Sequence, residues 1–528
     1  MRYKLLLLLV LLIGFGLRIW QISKVPPSLG NDEISIAYDA YSVSTIGKDS
    51  AGAFLPLSFK SHGTYKAPLY AYIAGPFIKL LGNNELSVRF PSVILGTLAI
   101  LFLYLLIEEI SRKRDLALIS SFVLAIAPWH VYTSRIALEA NIALTFLILG
   151  VYLFFLGRTK WKYLILSSLS LALSLYAYHT EWVFVPLLML FLYISYQGNF
   201  KNRQVLFGWI LLFVVLVLPL GLNWLSIRNE TNRATTEIIF NDLFLANRLS
   251  GVINPLSRVF IFLSFWTNKY LSYLSLDYIF TNGLPVSASY SSPEFGLLNL
   301  LELPLFILGI FQIAKSKDGR SRNLWIYWGA IGALVSSFTL GELNLTRYLV
   351  TIIPLVVVVA YGIIWIRENA GKRLFYLSIA LILINFIFFY KYYIKLFPFH
   401  FSENWQYGYK QAAQYIKDNE SKYDRVIIDP AFGVADNKYK GVPNIYLLYF
   451  NKMNPQLFLD TKKSGKETLE FMNKYYIRKV DWTTEKIQGK SLYVVSVHSM
   501  PLLLQRVREV YSINILDGTK AFKIYEGY

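Results

Sequence analysis

The sequence predicts an α-helical polytopic membrane protein that ends in a small extracytoplasmic α/β domain. Three observations carry this. Apolar runs approaching the ~20 residues a bilayer crossing needs recur about eleven times along the chain. Basic residues collect in the short connectors between alternate runs, and from about residue 397 the apolar runs give way to alternating and amphipathic patterns. Composition agrees: 55% of the 528 residues are hydrophobic, 16% are charged, and mean hydropathy is +0.43, which is leaner in charge than a soluble globular chain. The formal net charge of +19 sits in clusters between apolar runs. It therefore reports orientation and contact with anionic lipid rather than nucleic acid. With no cysteine, disulfides, thiolate nucleophiles and cysteine metal sites are excluded.

The first run, Leu5 to Ile22, follows Arg2 and Lys4. It is long and has no small-residue cleavage site after it, so it reads as an uncleaved span rather than a signal peptide. Further spans are expected near 90–110, 116–133, 140–156, 163–179, 183–196, 205–224, 297–314, 323–341, 347–366 and 374–391. The connector charges test this count. Arg2, Arg112-Lys113-Arg114, Arg158, Arg203, Arg320 and Arg367 all fall on one side. That side is the cytoplasm, which puts the N-terminus inside and the C-terminal region outside a plasma (inner) membrane.

The long first outer loop, 23–89, is expected to hold two helices at the outer interface. One runs from Ile34 to Ile46 behind the cap cluster Asn31-Asp32-Glu33; the other runs from Lys66 or Pro68 to Leu81 and stops at Gly82. A second long outer loop covers 225–296 and carries Arg228, Arg233, Arg248 and Arg258, mostly solvated with one or two available to a substrate. Beyond 397 the pattern predicts a helix from Trp405 to Asn419 and strands at Arg425–Asp429 and Ser491–Val497. A hairpin follows from Arg508 to Tyr525 around Asp517-Gly518. The expected division is a membrane module, 1–396, and a soluble domain, 397–528.

Candidate chemistry lies on the outer side. Asp32 and Glu33 are costly beside hydrocarbon, which marks them as functional candidates; capping the following helix is the simpler reading. Lys66 either snorkels to the interface or meets an anion. Arg89 either anchors a span or serves a site. Glu139 stands four residues after Arg135, spacing that suits a helix-surface ion pair as well as a site. His179 and Glu181, in Tyr176-Ala177-Tyr178-His179-Thr180-Glu181-Trp182, tip two spans and fit an aromatic belt or a substrate contact. Arg347 opens a late span from outside. These acids and histidine have no metal-ligand spacing, so no resident metal is expected.

Four outer stretches occur in order: Asn31-Asp32-Glu33; Gly63-Thr64-Tyr65-Lys66-Ala67-Pro68-Leu69-Tyr70; Leu86-Ser87-Val88-Arg89-Phe90-Pro91-Ser92; and Arg135-Ile136-Ala137-Leu138-Glu139. The ordered set resembles the GT-C glycosyltransferases of the protein O-mannosyltransferase and aminoarabinose-transferase type. The resemblance covers roughly residues 1–200 and, more loosely, Arg347 to Pro354. It implies a GT-C fold and transfer of a sugar from a polyprenyl phosphate to a protein, lipid or glycan acceptor outside the membrane. It also implies that Asp32 occupies the catalytic acid position with Glu33 its neighbour, that Lys66 contacts the lipid phosphate, and that Arg89, Arg135 and Glu139 hold the family's remaining outer positions. Ala67 departs from the family's Lys-Pro-Pro, which touches local loop shape and not the lysine's charge. The residues suit that chemistry: the acceptor hydroxyl must lose a proton, and the leaving phosphate must meet cations.

Two other classes are weaker. A lipid-linked sugar flippase or transporter would show mid-span charges and paired halves, whereas the mid-spans are apolar and unrepeated. An O-antigen-type ligase or polymerase would use polyprenyl diphosphate oligosaccharides and would place its basic residues in a late long loop, not follow an early acid pair.

Overall fold

The protein is described by a computed structural model covering residues 1–61, 64–200, 203–227, 238–282, 295–316, 319–341, 343–435, 438–439, 441–465, 468–487, 489–500 and 507–527. Helices occur along each of the expected apolar runs. They are α1 (Arg2–Ile19), α2 (Asn31–Ile46), α3 (Leu69–Leu81), α4 (Glu85–Ser111), α5 (Arg114–Ile126), α6 (Pro128–Thr133), α7 (Glu139–Leu156), α8 (Lys162–Ala177), α9 (Glu181–Tyr196) and α10 (Arg203–Ser226). There follow α11 (Leu243–Leu249), α12 (Pro255–Tyr273), α13 (Leu276–Phe280), α14 (Leu303–Lys315), α15 (Gly319–Ser337), α16 (Leu345–Tyr348), α17 (Ile352–Trp365) and α18 (Lys372–Lys395).

Among the described residues, six helical stretches are long and apolar enough to cross a membrane: 85–111, 139–156, 181–199, 203–226, 345–370 and 372–395. The remaining expected spans fall short for visible reasons. The run at 116–133 breaks between α5 and α6, because Pro128 has no N–H to continue the ladder. α1 and α15 carry arginines within their helical turns, and α8 and α14 are short, at 16 and 13 residues.

α7 lies at the centre of the bundle, between α4 and α8. Ile142, Leu144, Leu147, Ile148, Val151 and Phe154 on it are fully buried, as expected of a helix apolar on all sides. α14 and α17 cross with backbones almost touching. A Cβ on Gly309 would strike the Val358 carbonyl, and a Cβ on Gly362 would strike the Leu305 carbonyl, which is the small-residue packing that lets spans approach closely.

The basic connectors meet at one end of the bundle. Tyr3 and Arg367 both reach Asp115, each at 2.9 Å, and Arg158 reaches Glu109 at 2.7 Å. Arg89, near the start of α4, and Arg135, just before α7, lie at the opposite ends of those helices.

Two regions differ from the sequence expectation. The described part of the loop expected over 225–296, residues 238–282, holds α11 to α13; Arg228 and Arg233 lie outside the described residues. In addition, α2 is enclosed by protein. Ile34, Ala37, Tyr38 and Ala40 are buried because apolar residues around the helix serve two neighbours, α3 on one side and the C-terminal region on the other.

The first outer loop also forms a hairpin, β1 (Phe59–Ser61) and β2 (Thr64–Lys66), in which Phe59 pairs with Lys66. After α18 a short turn, α19 (Phe397–His400), leads to α20 (Tyr409–Asn419), β3 (Arg425–Ile428) and the small pair β4 (Val434–Ala435) and β5 (Lys438–Tyr439). Next come α21 (Pro443–Phe450), α22 (Pro455–Thr461), β6 (Lys463–Ser464), β7 (Leu469–Phe471), β8 (Tyr475–Ile477), β9 (Ser491–Ser496), β10 (Val507–Asn514) and β11 (Lys520–Gly527). Seven of these strands form one sheet in the order β10-β11-β9-β3-β8-β7-β6. β3 is central, parallel to both β8 and β9, and wholly apolar after Arg425, as a strand covered on both faces should be.

The expected helix at Trp405 starts four residues later, because Gly408 turns the chain at φ 126. Trp405 and Gln406 are thereby left in a turn that meets the first outer loop. Trp405 packs on Gly30 and Gln406 donates to Asn31. The sheet region is tied down further by Lys410 to Glu85 at 2.7 Å, Tyr446 to the Leu29 carbonyl, and Lys462 to the Ser50 carbonyl.

Candidate active site

The adjacent acids Asp32 and Glu33 have different surroundings. Both lie in the first turn of α2, where the exposed N–H groups favour negative charge. Gly30, not the acids, is the N-cap. Glu33 turns inward. Its Oε1 accepts from Arg89 Nε at 2.9 Å and Ala137 N at 2.7 Å. Its Oε2 accepts from Arg89 Nη2 at 2.8 Å and Gly30 N at 3.2 Å. Four donors thus fill the carboxylate.

Arg89 is equally occupied. Beyond Glu33 it donates to the carbonyls of Ile22, Pro26 and Ser28, and its guanidinium stands 5.9 Å from the Trp405 ring. This buried fork-to-fork pair joins the first loop, α2, α4 and the Ala137 segment.

Arg135 holds the same loop from the other side. It donates to the carbonyls of Leu17, Arg18 and Val25 and lies 5.4 Å from the Tyr393 ring. It thereby caps the C-terminal end of α1, whose last carbonyls have no helical partner. Sequence spacing suggested an Arg135–Glu139 ion pair; the guanidinium nitrogens are turned instead to main-chain oxygens. Glu139 is the first residue of α7 and is buried.

Asp32 faces the other way. Lys66 Nζ lies 2.7 Å from Asp32 Oδ1 and donates to the Asp32 carbonyl at 3.3 Å. Lys66 is 2% exposed and Asp32 24%, so the cation is enclosed while its partner stays reachable. Lys66 lines a narrow cleft together with Ser58, His179, Trp182, Asn223 and Trp224. The hairpin β1–β2 delivers the lysine, the turn between α8 and α9 delivers His179 and Trp182, and the last turn of α10 delivers Asn223 and Trp224.

The other candidates lie around this core. Glu181 starts α9, is buried, and its Oε2 has no hydrogen-bond partner among the described residues. Arg347 lies on α16 and donates to the Leu340 carbonyl at 3.4 Å. The Tyr178 and Thr346 hydroxyls, 2.8 Å apart, bring the Arg347 turn against the His179 turn. Arg248 stacks on Phe244 and Arg258 is exposed on α12; neither is among the residues lining the cleft. Among the described residues no group of three or more histidines or acids is placed to hold a metal ion.

The sequence pointed to Asp32, Lys66 and His179, which the fold brings to one place, but not to Asn223, Trp224 or Trp405. The available signal was a polar residue at the very end of an apolar span, Asn223. Tryptophan at a span end reads as interfacial belt and passes without notice.

The sequence profile of the dolichyl-phosphate-mannose-protein mannosyltransferase family matches residues 65–224. That interval contains Lys66, Arg89, Arg135, His179 and both cleft tryptophans, and leaves Asp32 just outside it. No curated protein matches the chain significantly in sequence. Solved structures do match in shape. ArnT from Cupriavidus metallidurans, bound to undecaprenyl phosphate, superposes with a TM-score of 0.56 at 12% identity, over 99% of this chain and 97% of that one. The Archaeoglobus fulgidus oligosaccharyltransferase in its apo form superposes with a TM-score of 0.51 at 14% identity, over 86% of this chain. The chain spans 64% of that oligosaccharyltransferase's length. At these identities the likeness is one of fold. The architecture is thus the GT-C type membrane fold, and residues 65–224 carry the family match.

Proposed function

We propose that the chain transfers a sugar from a polyprenyl-phosphate donor to an acceptor on the extracytoplasmic face of the membrane, with Asp32 as general base and Lys66 holding the leaving phosphate. The observation that carries this is the Asp32–Lys66 pair at the cleft, 2.7 Å apart with the lysine enclosed. A phosphate entering the cleft competes with Asp32 for Lys66. The exchange frees a carboxylate oxygen as the charge of the phosphate is met. The acceptor oxygen then bonds to the anomeric carbon while the bond from that carbon to the phosphate oxygen breaks. The acceptor proton passes to Asp32, and polyprenyl phosphate leaves with the bonding electrons, stabilised by Lys66. His179, across the cleft, contacts the donor.

Glu33, Arg89 and Arg135 act as positioning residues. The four donors on Glu33 leave it no lone pair for a proton, so the base role goes to Asp32. Glu139, Glu181 and Arg347 border the same region and help to shape the acceptor side. The gathering of basic connectors at the far end supports a cytoplasmic N-terminus in the plasma membrane. Residues 397–528 then form an extracytoplasmic domain whose turn at Trp405–Gln406 covers the first loop. The acceptor is a protein, lipid or glycan.

The ArnT structure that shares this fold holds undecaprenyl phosphate, which supports the donor class. The test is release of polyprenyl phosphate from a polyprenyl-phosphate sugar by the purified protein in nanodiscs. Turnover that depends on Asp32 and Lys66 is expected; Asp32→Asn turning over at the wild-type rate would sink the base assignment.

A further inference from the structure

We infer that Trp182, Trp224 and Asn223 form the subsite for the sugar ring of the donor, an inference that rests on the proposed transfer and assigns the rest of its cleft. Three observations support it. First, the cleft that Lys66 lines also holds an aromatic corner. The Trp182 and Trp224 rings lie 5.8 Å apart at 60°, and the His179 ring lies 5.9 Å from Trp182. A sugar ring presents flat patches of C–H that pack on aromatic faces, and its hydroxyls need polar partners at the edges.

Second, such partners are present. Trp182 spends its Nε1–H on the Leu175 carbonyl at 3.1 Å, so it offers only its face. Trp224 Nε1 is buried without an acceptor among the described residues, an arrangement that costs free energy unless a ligand supplies one. Asn223 Nδ2 donates to Ser58 Oγ at 2.9 Å, which fixes the direction of its carboxamide.

Third, polarity selects the headgroup over the lipid tail. The cleft walls mix rings with an ammonium, an amide and a hydroxyl. A long isoprenoid chain needs an extended apolar surface. Such a surface runs beside the cleft on α10, where Leu211, Val215, Leu218 and Leu222 are exposed. The ligand class is therefore a hexosyl or pentosyl ring joined to a phosphate, with the phosphate at Lys66, the ring against the two tryptophans and the tail along α10.

The experiment measures binding of two kinds of probe to the full-length protein in nanodiscs: bare polyprenyl phosphate, and polyprenyl-phosphate mannose or glucose. Wild-type protein is expected to bind at least one glycosylated probe more tightly than the bare phosphate. Trp224→Phe keeps a ring and removes only the N–H, and should weaken the glycosylated probe about tenfold, the value of one good hydrogen bond. Trp182→Ala should weaken it by at least as much, and both variants should leave the bare phosphate within about twofold, since Lys66 is untouched. Equal losses for both probes, or no loss for either, overturn the subsite. Lys66→Met reports on the underlying reading separately: if it leaves both probes unchanged, the phosphate role falls while the tryptophan result still stands or falls alone.

Discussion

Asp32 and Glu33 are neighbours in sequence but should fail in different ways when changed. Glu33→Gln places one carbonyl oxygen and one NH2 where four donors now converge on two carboxylate oxygens. At least one donor must then face another donor, and Arg89, fully buried, loses its counter-charge. Breaking a buried ion pair by removing one partner costs about 3–5 kcal/mol. Asp32 is partly exposed but its partner Lys66 is enclosed; an asparagine keeps an oxygen acceptor for that lysine while removing the charge, at a cost of about 1–3 kcal/mol, whereas losing a general base slows turnover by about 10²–10⁴-fold. The assay pairs thermal unfolding in nanodiscs with initial rates of polyprenyl phosphate release. Glu33→Gln should unfold several degrees lower while the surviving folded protein still turns over. Asp32→Asn should lose less stability than Glu33→Gln and turn over at the reduced rate. The reverse pattern, a stable but inactive Glu33→Gln beside an active Asp32→Asn, would exchange the two roles and refute the reasoning.

Other expectations come from the same packing. Burial pushes the Asp39 carboxyl up to about 7, with Asp49 adding to the shift and Ser50 and Lys66 opposing it. The folded state thus holds a proton that the unfolded chain, near 3.8, has released. This group's contribution to stability is full below the unfolded value and is lost as pH rises through about 7. Asp39→Asn should therefore stabilise the protein at pH 8 and lose that advantage toward pH 4, read from melting temperatures across pH; an advantage independent of pH would be the contrary result. Gly309→Ala or Gly362→Ala should push α14 and α17 apart and lower thermal stability, whereas Gly208→Ala, with open space around it, should not; equal effects at all three would count against the close crossing. Lys410→Ala strands Glu85, which is 5% exposed. It should cost about 1–3 kcal/mol and raise hydrogen exchange across 443–461, where α21 and α22 dock; unchanged exchange would show that the pair does not hold the sheet region.

Most of the membrane architecture was legible because its signals are one-dimensional. Apolar length marks a helix whatever its neighbours are. The expected break-free span at 116–133 failed at Pro128, a residue in plain view whose effect on the ladder is local and calculable. The loop 225–296 hid α12 because the helix is amphipathic and outside the bundle's core, so its composition reads as neither span nor soluble helix. β7 and β8 were missed because strands of three residues carry no period to detect. The division of labour between Asp32 and Glu33 could not be read at all. Their separation rests on Arg89, 56 residues away, and on Ala137, 104 residues away. Likewise the cleft joins Lys66 to Asn223 across several helices, and no spacing in the sequence announces that neighbourhood.

The central claim is tested most directly by a single-turnover experiment with a polyprenyl-phosphate sugar, an acceptor pool and the purified protein in nanodiscs, following donor binding and release of polyprenyl phosphate together. The expected result is release by the wild type, retained donor binding with transfer slowed by about 10²–10⁴-fold for Asp32→Asn, and weakened donor binding for Lys66→Met. Wild-type binding and transfer by both variants would contradict it.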